Sequence, residues 1–212
     1  MTEVDKRERI ITAAYRVLSE KGYDKASTKE IASSAGVAQG LINYYFPSKD
    51  LLFSEVFRRE TRKYCEAFTP LLPEERQEPL TAEAIEKLLE VPKSRALQEP
   101  EWFRLRYELF AIGLRNERAA DTLKETLDTK RKYMTGKIAA LSGFPKEQSE
   151  TIASILYAAI EGLGLQKVAD PDFKYDEAYS MLSGMLGAYC EQATKRKPGE
   201  AEIQAGREIG RE

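Results

Sequence analysis

The sequence predicts an all-α protein of about nine helices, and three observations carry that prediction. Apolar residues recur at steps of three, four and seven along nearly the whole chain, which is the period of one helix face. No stretch alternates apolar and polar residues long enough to make a strand. Glycines and prolines fall between the periodic stretches, where they act as stops. With 42% hydrophobic and 32% charged residues in 212, there is enough apolar side chain for a packed core.

The helices follow in order. Ile10, Ala14, Val17 and Leu18 make the apolar face of the first, and Gly22 is its natural stop. Ser27 and Glu30 have the spacing of a capping box and open a second helix through Ile31, Ala32 and Ala35, which Gly36 breaks. A third begins near Ala38 and ends at Phe46-Pro47. Ser48 is placed to cap a fourth, with Asp50 in its first turn and Leu51, Leu52, Val56 and Phe57 on its face, reaching about Phe68. Pro70, Pro73 and Pro79 mark a loop, and Thr81 to Glu90 reads as a short helix stopped near Pro92. After Pro100, Trp102, Phe103, Leu105, Leu109, Phe110, Ile112 and Leu114 are too many for one stripe and predict a deeply buried helix. Residues 117–142 form the next, ended by Gly143 and Pro145. Ile152, Ile155, Leu156, Ala159 and Leu163 line one face of 147–167, and Met181, Leu182, Met185, Leu186 and Tyr189 line one face of 175–193. Gly162, Gly164, Gly184 and Gly187 lie within those faces, each at about 1 kcal/mol against alanine, which close approach of backbones would offset. Residues 194–212 read as a polar, disordered tail.

Composition removes several classes of function. There is no histidine, so no Ser-His-Asp or Cys-His catalysis and no convincing zinc site, and no glycine-rich phosphate loop occurs. No catalytic residues, metal or cofactor are expected, and the chain reads as a non-enzyme. Cys65 and Cys190 are far apart and read as buried hydrophobes in a reducing compartment. The charged N-terminus lacks a signal peptide's apolar core, and no unbroken apolar run reaches membrane-spanning length, so a cytoplasmic protein with no membrane partner is expected. Net charge is −2, but it is unevenly spread. Residues 1–64 hold 12 Lys and Arg against 9 Asp and Glu, while the remainder holds 21 against 26. That pattern permits a phosphate-facing head on an acidic body.

Two short helices joined by a glycine turn make a helix-turn-helix. Val37 and Ile42 point back to the core with Ile31 and Ala35, which leaves Gln39, Gly40, Leu41, Asn43 and Tyr44 facing outward. A helix that reads a DNA groove needs such a face: amides for adenine edges, an apolar group for a thymine methyl, and no bulk at one position. Tyr45 at the helix end and Lys49 in the first turn of the next are placed for phosphates, with Thr28 and Lys29 on the other side.

The segment TKEIASSAGVAQGLINYYFPSKDLL, Thr28 to Leu52, resembles the N-terminal domain of the TetR family of transcriptional regulators. The resemblance implies a three-helix DNA-binding domain over residues 1–47, a helical effector-binding and dimerisation domain over 48–193, and a homodimer on double-stranded DNA. Carried over by position, Thr28, Tyr45 and Lys49 correspond to phosphate contacts, and Lys29, Gln39, Gly40, Leu41, Asn43 and Tyr44 to groove contacts. Ala38 departs from the family's usual Ser or Thr cap, Leu41 from its frequent Thr and Asn43 from its frequent Tyr. The last two helices correspond to the family's four-helix interface, giving Ile152, Ile155, Leu156, Ala159, Leu163, Met181, Leu182, Met185, Leu186 and Tyr189 as pairing residues. Phe68, Trp102, Phe103, Tyr107, Phe110, Tyr133 and Met134 fall on helices that enclose the family's small-molecule cavity. Arg104, Arg106 and Arg115 are polar candidates there, with a solvated face the simpler reading of each. The expected function is a repressor that binds a palindromic operator and is released by an apolar or aromatic effector. The alternative is a helical carrier or scaffold that does not use its helix-turn-helix on specific DNA.

Overall fold

The computed structural model describes residues 3–67 and 81–195. Among them are nine helices and no strand: α1 (Glu3–Lys25), α2 (Thr28–Ala35), α3 (Gln39–Tyr45), α4 (Lys49–Ala67), α5 (Ala82–Gln98), α6 (Pro100–Gly113), α7 (Glu117–Ser142), α8 (Lys146–Ala169) and α9 (Tyr175–Lys195). Phe68, the Pro70–Pro79 loop and the tail from 196 lie outside the described residues, whereas Thr194 and Lys195 belong to α9.

Helices α1 to α3 form the head. The Glu30 N–H donates to Ser27 Oγ at 3.2 Å and the Ser27 N–H to the Glu30 carboxylate at 3.1 Å, closing the expected capping box. Lys21 pairs with that carboxylate as well and, with Ser27, holds it down to about 2. Gly36 ends α2 in the left-handed conformation, φ 63° and ψ 43°, which costs glycine nothing. Arg9 and Arg16 of α1 donate to the Ala35 carbonyl and to Ser34 Oγ, so cations sit at the negative end of α2. Ile42 and Phe46 anchor α3 in the core beside Ile31 and Ala35. No side chain caps α3 at Ala38.

Head and body share α4. Ser48 Oγ accepts the Leu51 N–H at 3.2 Å at its start. Farther along, aromatic rings step from Tyr23 to Phe53 (4.7 Å between centroids), to Phe57 (4.8 Å), to Trp102 of α6 (5.0 Å) and on to Tyr15 of α1 (5.8 Å). Such pairs add to the area they bury. Gly22 interrupts α1 at φ 77°, ψ 171°, and the chain resumes for one turn to Lys25, three residues beyond the expected stop.

In the body α7 packs on α8 and α5 on α9, with α6 between them and the head. Helix α5 does not stop near Pro92 as the sequence suggested; it runs to Gln98. Ile85, Leu89, Pro92 and Ala96 are all buried and continue one stripe across the proline. Packing along that stripe outweighs the one backbone hydrogen bond that proline removes. Helix α8 is long and apolar enough to cross a membrane by composition, with mean hydropathy 1.2 over its most apolar stretch. Yet it carries Glu161, ion-paired to Arg106 of α6. The four glycines of α8 and α9 divide into two kinds. A Cβ on Gly164 would lie 2.5 Å from the Phe103 ring and one on Gly187 2.8 Å from Ala82, while Gly162 and Gly184 face open space.

Gly164→Ala drives a methyl group into the buried Phe103 and is expected to destabilise the fold by about 1–3 kcal/mol. Gly136→Ala, in open surroundings on α7, is expected to gain up to about 1 kcal/mol. Urea unfolding of the two variants checks both signs.

Candidate nucleic-acid interface and body cavity

The outward side of α3 is built by subtraction. Ile42 and Phe46 are drawn into the core, and Leu41 and Tyr45 pack partly against it. That leaves Gln39, Gly40, Asn43 and Tyr44 exposed on a seven-residue helix, Tyr44 by 70%. A Cβ at Gly40 would meet nothing within 4 Å, so a surface can approach the backbone there. Lys29 is exposed beside this face and Thr28 half-buried, with Gln39 Nε2 3.4 Å from Thr28 Oγ1. Amide donors and acceptors, a phenol and an ammonium thus share one convex strip.

Lys49 is differently placed from the rest. Its ammonium donates to the Tyr23 carbonyl and lies over the Tyr23 ring, 4.2 Å from the centroid. The Tyr23 hydroxyl in turn donates to Asp50, and the Tyr23 N–H donates to Glu108 of α6 at 2.8 Å. A Cβ on Gly22 would come within 2.7 Å of that same Glu108 carboxylate. One short segment, Gly22-Tyr23, is therefore gripped by the first turn of α4 and by α6. Nothing in the sequence signalled this junction, because Glu108 lies 85 residues from Tyr23.

The body holds an apolar pocket, open on one side, between α5, α7, α8 and α9. It is lined by Ile85, Leu88, Leu89, Tyr133, Met134, Lys137, Ile138, Leu141, Ile152, Leu156, Ile160, Leu186 and Cys190. Of the aromatics and methionine singled out in the sequence, Tyr133 and Met134 line it. Trp102 and Phe103 are wholly buried, Trp102 in the ring stack that joins head to body and Phe103 under Arg106. Tyr107 donates its hydroxyl to the Glu161 carbonyl at 2.7 Å and sets an edge against Phe110. The pairing residues divide likewise: Ile152, Leu156 and Leu186 line the pocket, Ala159, Leu163 and Leu182 are half-buried, and Ile155, Met181, Met185 and Tyr189 are exposed. Met181 is 67% exposed. Both cysteines are buried, and burial raises their thiol pKa values.

A charged cluster lies one helical turn beyond the pocket. Arg106 is 1% exposed, which overturns the solvated face expected for it, and its Nη2 lies 2.7 Å from the Glu161 carboxylate. Lys130, 2% exposed, reaches the same carboxylate at 3.8 Å and faces the rings of Tyr64 and Tyr157. Both residues stand on helix faces that the apolar period marks as core, so periodicity alone gave no reason to place charge there. Burial first, and then the Arg106 charge, hold the Lys130 ammonium down to about 7, with Arg95 adding to the repulsion and Glu161 and Cys65 opposing it.

Comparison with known proteins follows this division into head and body. A model described as "Bacterial regulatory proteins, tetR family" matches residues 10–56. The transcriptional regulator YvdT of Bacillus subtilis is 49% identical over 51 residues, 24% of this chain and 26% of that protein. The match therefore spans about a quarter of that relative. The regulator PksA of the same organism is 29% identical over 178 residues, covering 78% of this chain and 80% of its own. The crystal structure of a TetR transcription regulator from Haloarcula marismortui superposes with a TM-score of 0.70 at 19% identity, covering 88% of this chain and 98% of that one.

Replacing Lys130 tests the cost of the buried cluster. An unfolded lysine titrates at about 10.4, so between about pH 7 and 10 the unfolded chain binds the extra proton. Folding stability must then rise with pH across that window, the cost being fully present below it. Lys130→Met leaves Glu161 paired with Arg106 and is expected to stabilise the protein at neutral pH by about 1–4 kcal/mol. Thermal melts from pH 6 to about 10 should show that gain shrinking as pH rises.

Proposed function

Since this chain belongs to the TetR family of transcriptional regulators, we propose that it is a repressor that binds a palindromic operator as a homodimer and leaves it when a small molecule enters the body. The exposed strip of α3 carries the reading. Gln39 and Asn43 can pair with base edges in the major groove, Gly40 admits close approach, and Tyr44 and Tyr45 reach toward the sugar-phosphate backbone. The protein acts in the cytoplasm on duplex DNA, with residues 1–47 as the DNA-binding unit and 48–193 as the effector and pairing unit.

Pairing rests on the outer side of α8 and α9. Ile155, Leu165, Met181, Met185 and Tyr189 are large apolar side chains exposed together on those two helices, and Gly162 and Gly184 leave room for a facing backbone. A two-fold axis there presents two α3 helices, and an operator needs them about 34–36 Å apart. The apolar pocket supports an effector with an apolar or aromatic body.

The effector acts as a population shift. It binds better to an arrangement in which α4 and α6 have moved, and these are the helices that grip Gly22-Tyr23. Shifting them changes the separation and tilt of the heads, so the operator affinity falls by the effector's unequal affinity for the two states. Lys49 serves this reading by fixing the head through the Tyr23 carbonyl and ring while the operator is bound.

Gln39→Ala or Asn43→Ala is expected to cost about 1–3 kcal/mol on the cognate operator and almost nothing on unrelated DNA. Fluorescence anisotropy at several salt concentrations reads both affinities, and equal losses on all sequences would remove α3 from base recognition. The double variant Met181→Glu/Met185→Glu is expected to sediment as a monomer in analytical ultracentrifugation. It should lose operator affinity more than roughly tenfold, since a monomer meets one half-site. A variant that stays dimeric would place the pairing surface elsewhere.

A further inference from the structure

We infer that the effector is an amphiphilic anion, its apolar body in the α5–α9 pocket and its negatively charged head against Lys130 and Arg106. This rests on the effector reading above and names the chemistry of that ligand.

The first support is a charge imbalance. Arg106 and Lys130 are both more than nine-tenths buried and share one carboxylate, Glu161, at 2.7 Å and 3.8 Å. Two cations against one anion leave a positive charge uncompensated in a place of low polarity, which is costly unless something else supplies the countercharge. The depressed Lys130 ammonium is the signature of that shortfall. Arg106 Nε is also buried with no acceptor in hydrogen-bonding geometry. A guanidinium edge beside an ammonium is the arrangement that takes a carboxylate through charge-assisted hydrogen bonds.

The second support is position. Met134, which lines the pocket, is one turn along α7 from Lys130, about 6 Å by helical rise. Ile160, also lining it, adjoins Glu161 on α8. A chain lying between α7 and α8 therefore brings its end group to the cluster.

The third support excludes the opposite charge. A cationic head would need aromatic faces, but Lys137 already lies 5.3 Å from the centroid of Tyr133, the ring that lines the pocket, Arg106 4.0 Å from that of Phe103, and Lys130 4.9 Å and 5.5 Å from those of Tyr64 and Tyr157. Those cations would also repel it. A neutral ligand fills the pocket and leaves the imbalance as it was.

Isothermal titration of the full chain with decanoate, decanol and decyltrimethylammonium, all below their aggregation limits, tests this with one tail and three heads. Decanoate is expected to bind at least about tenfold more tightly than decanol, with decyltrimethylammonium weakest. Lys130→Met should bring decanoate down to the level of decanol. The inference is overturned if decanol matches decanoate, if the cation binds best, if none of the three binds, or if Lys130→Met keeps the preference. The comparison of heads on the unaltered protein stands even if a variant does not fold. Operator binding is read in parallel by anisotropy. If decanol releases DNA as well as decanoate does, the effector reading survives and the anionic head does not. If the ligand-free protein fails to bind its operator, the repressor reading fails while the calorimetric answer on the head group remains.

Discussion

Everything in this protein turns on how a small head is fastened to a large helical body, and a run of stacked rings does the fastening. Tyr23, Phe53, Phe57, Trp102 and Tyr15 come from three helices, α1, α4 and α6, and bury one another where those helices meet. One long and two short helices build the head around a small core of its own. Ile42 and Phe46 hold α3 to α1 and α2, but the rings decide how that unit sits on the rest. Around them lies a polar collar. Glu60 accepts from Arg59 and Arg95 at 3.0 Å each, and Arg59 reaches Glu8 and Thr12 of α1. The rings supply the burial, and the ion pairs fix the register between elements far apart in the chain.

The body carries charge where apolar side chains would be more stable. Arg106, Lys130 and Glu161 sit among aromatic residues, at a place where leucine or methionine would pack at lower cost. Stability lost at a specific place in an otherwise apolar interior is a common mark of a working site. The pocket beside it is almost wholly hydrocarbon and offers a ligand little orientation by itself. On the proposed reading the pocket takes the tail of an amphiphilic ligand and the cluster beside it takes the head.

Much of the fold was legible because its signals are local. The Ser27–Glu30 box, Gly36 and Ser48 each act within four residues, and each stands where the sequence put it. The outward face of α3 was readable for the same reason, since Ile42 and Phe46 take the core side and leave the remainder. Pro92 misled because a local breaker was outweighed by a buried stripe whose partners come from other helices. Arg106 misled in the opposite sense: arginine is usually solvated, and its carboxylate partner lies 55 positions away. No nearby residue marks Lys130 or Glu108 as special, because their partners lie far along the chain. The apolar period identifies the helices around the pocket but not the faces turned into it, so Trp102 and Phe103 are core while Leu88 and Ile160 line the pocket.

Helix α4 has a consequence for how such proteins can be recombined. Its first turn holds Tyr23, its middle supplies two of the stacked rings, and Ser54 and Arg58 meet Thr122 and Glu125 of α7. A chimera cut between α3 and α4 would graft a foreign head onto a grip shaped for this one. The exchangeable cassette is therefore larger than the helix-turn-helix: it runs through the end of α4 and brings with it the requirement for a carboxylate at position 108 and a bare backbone at position 22.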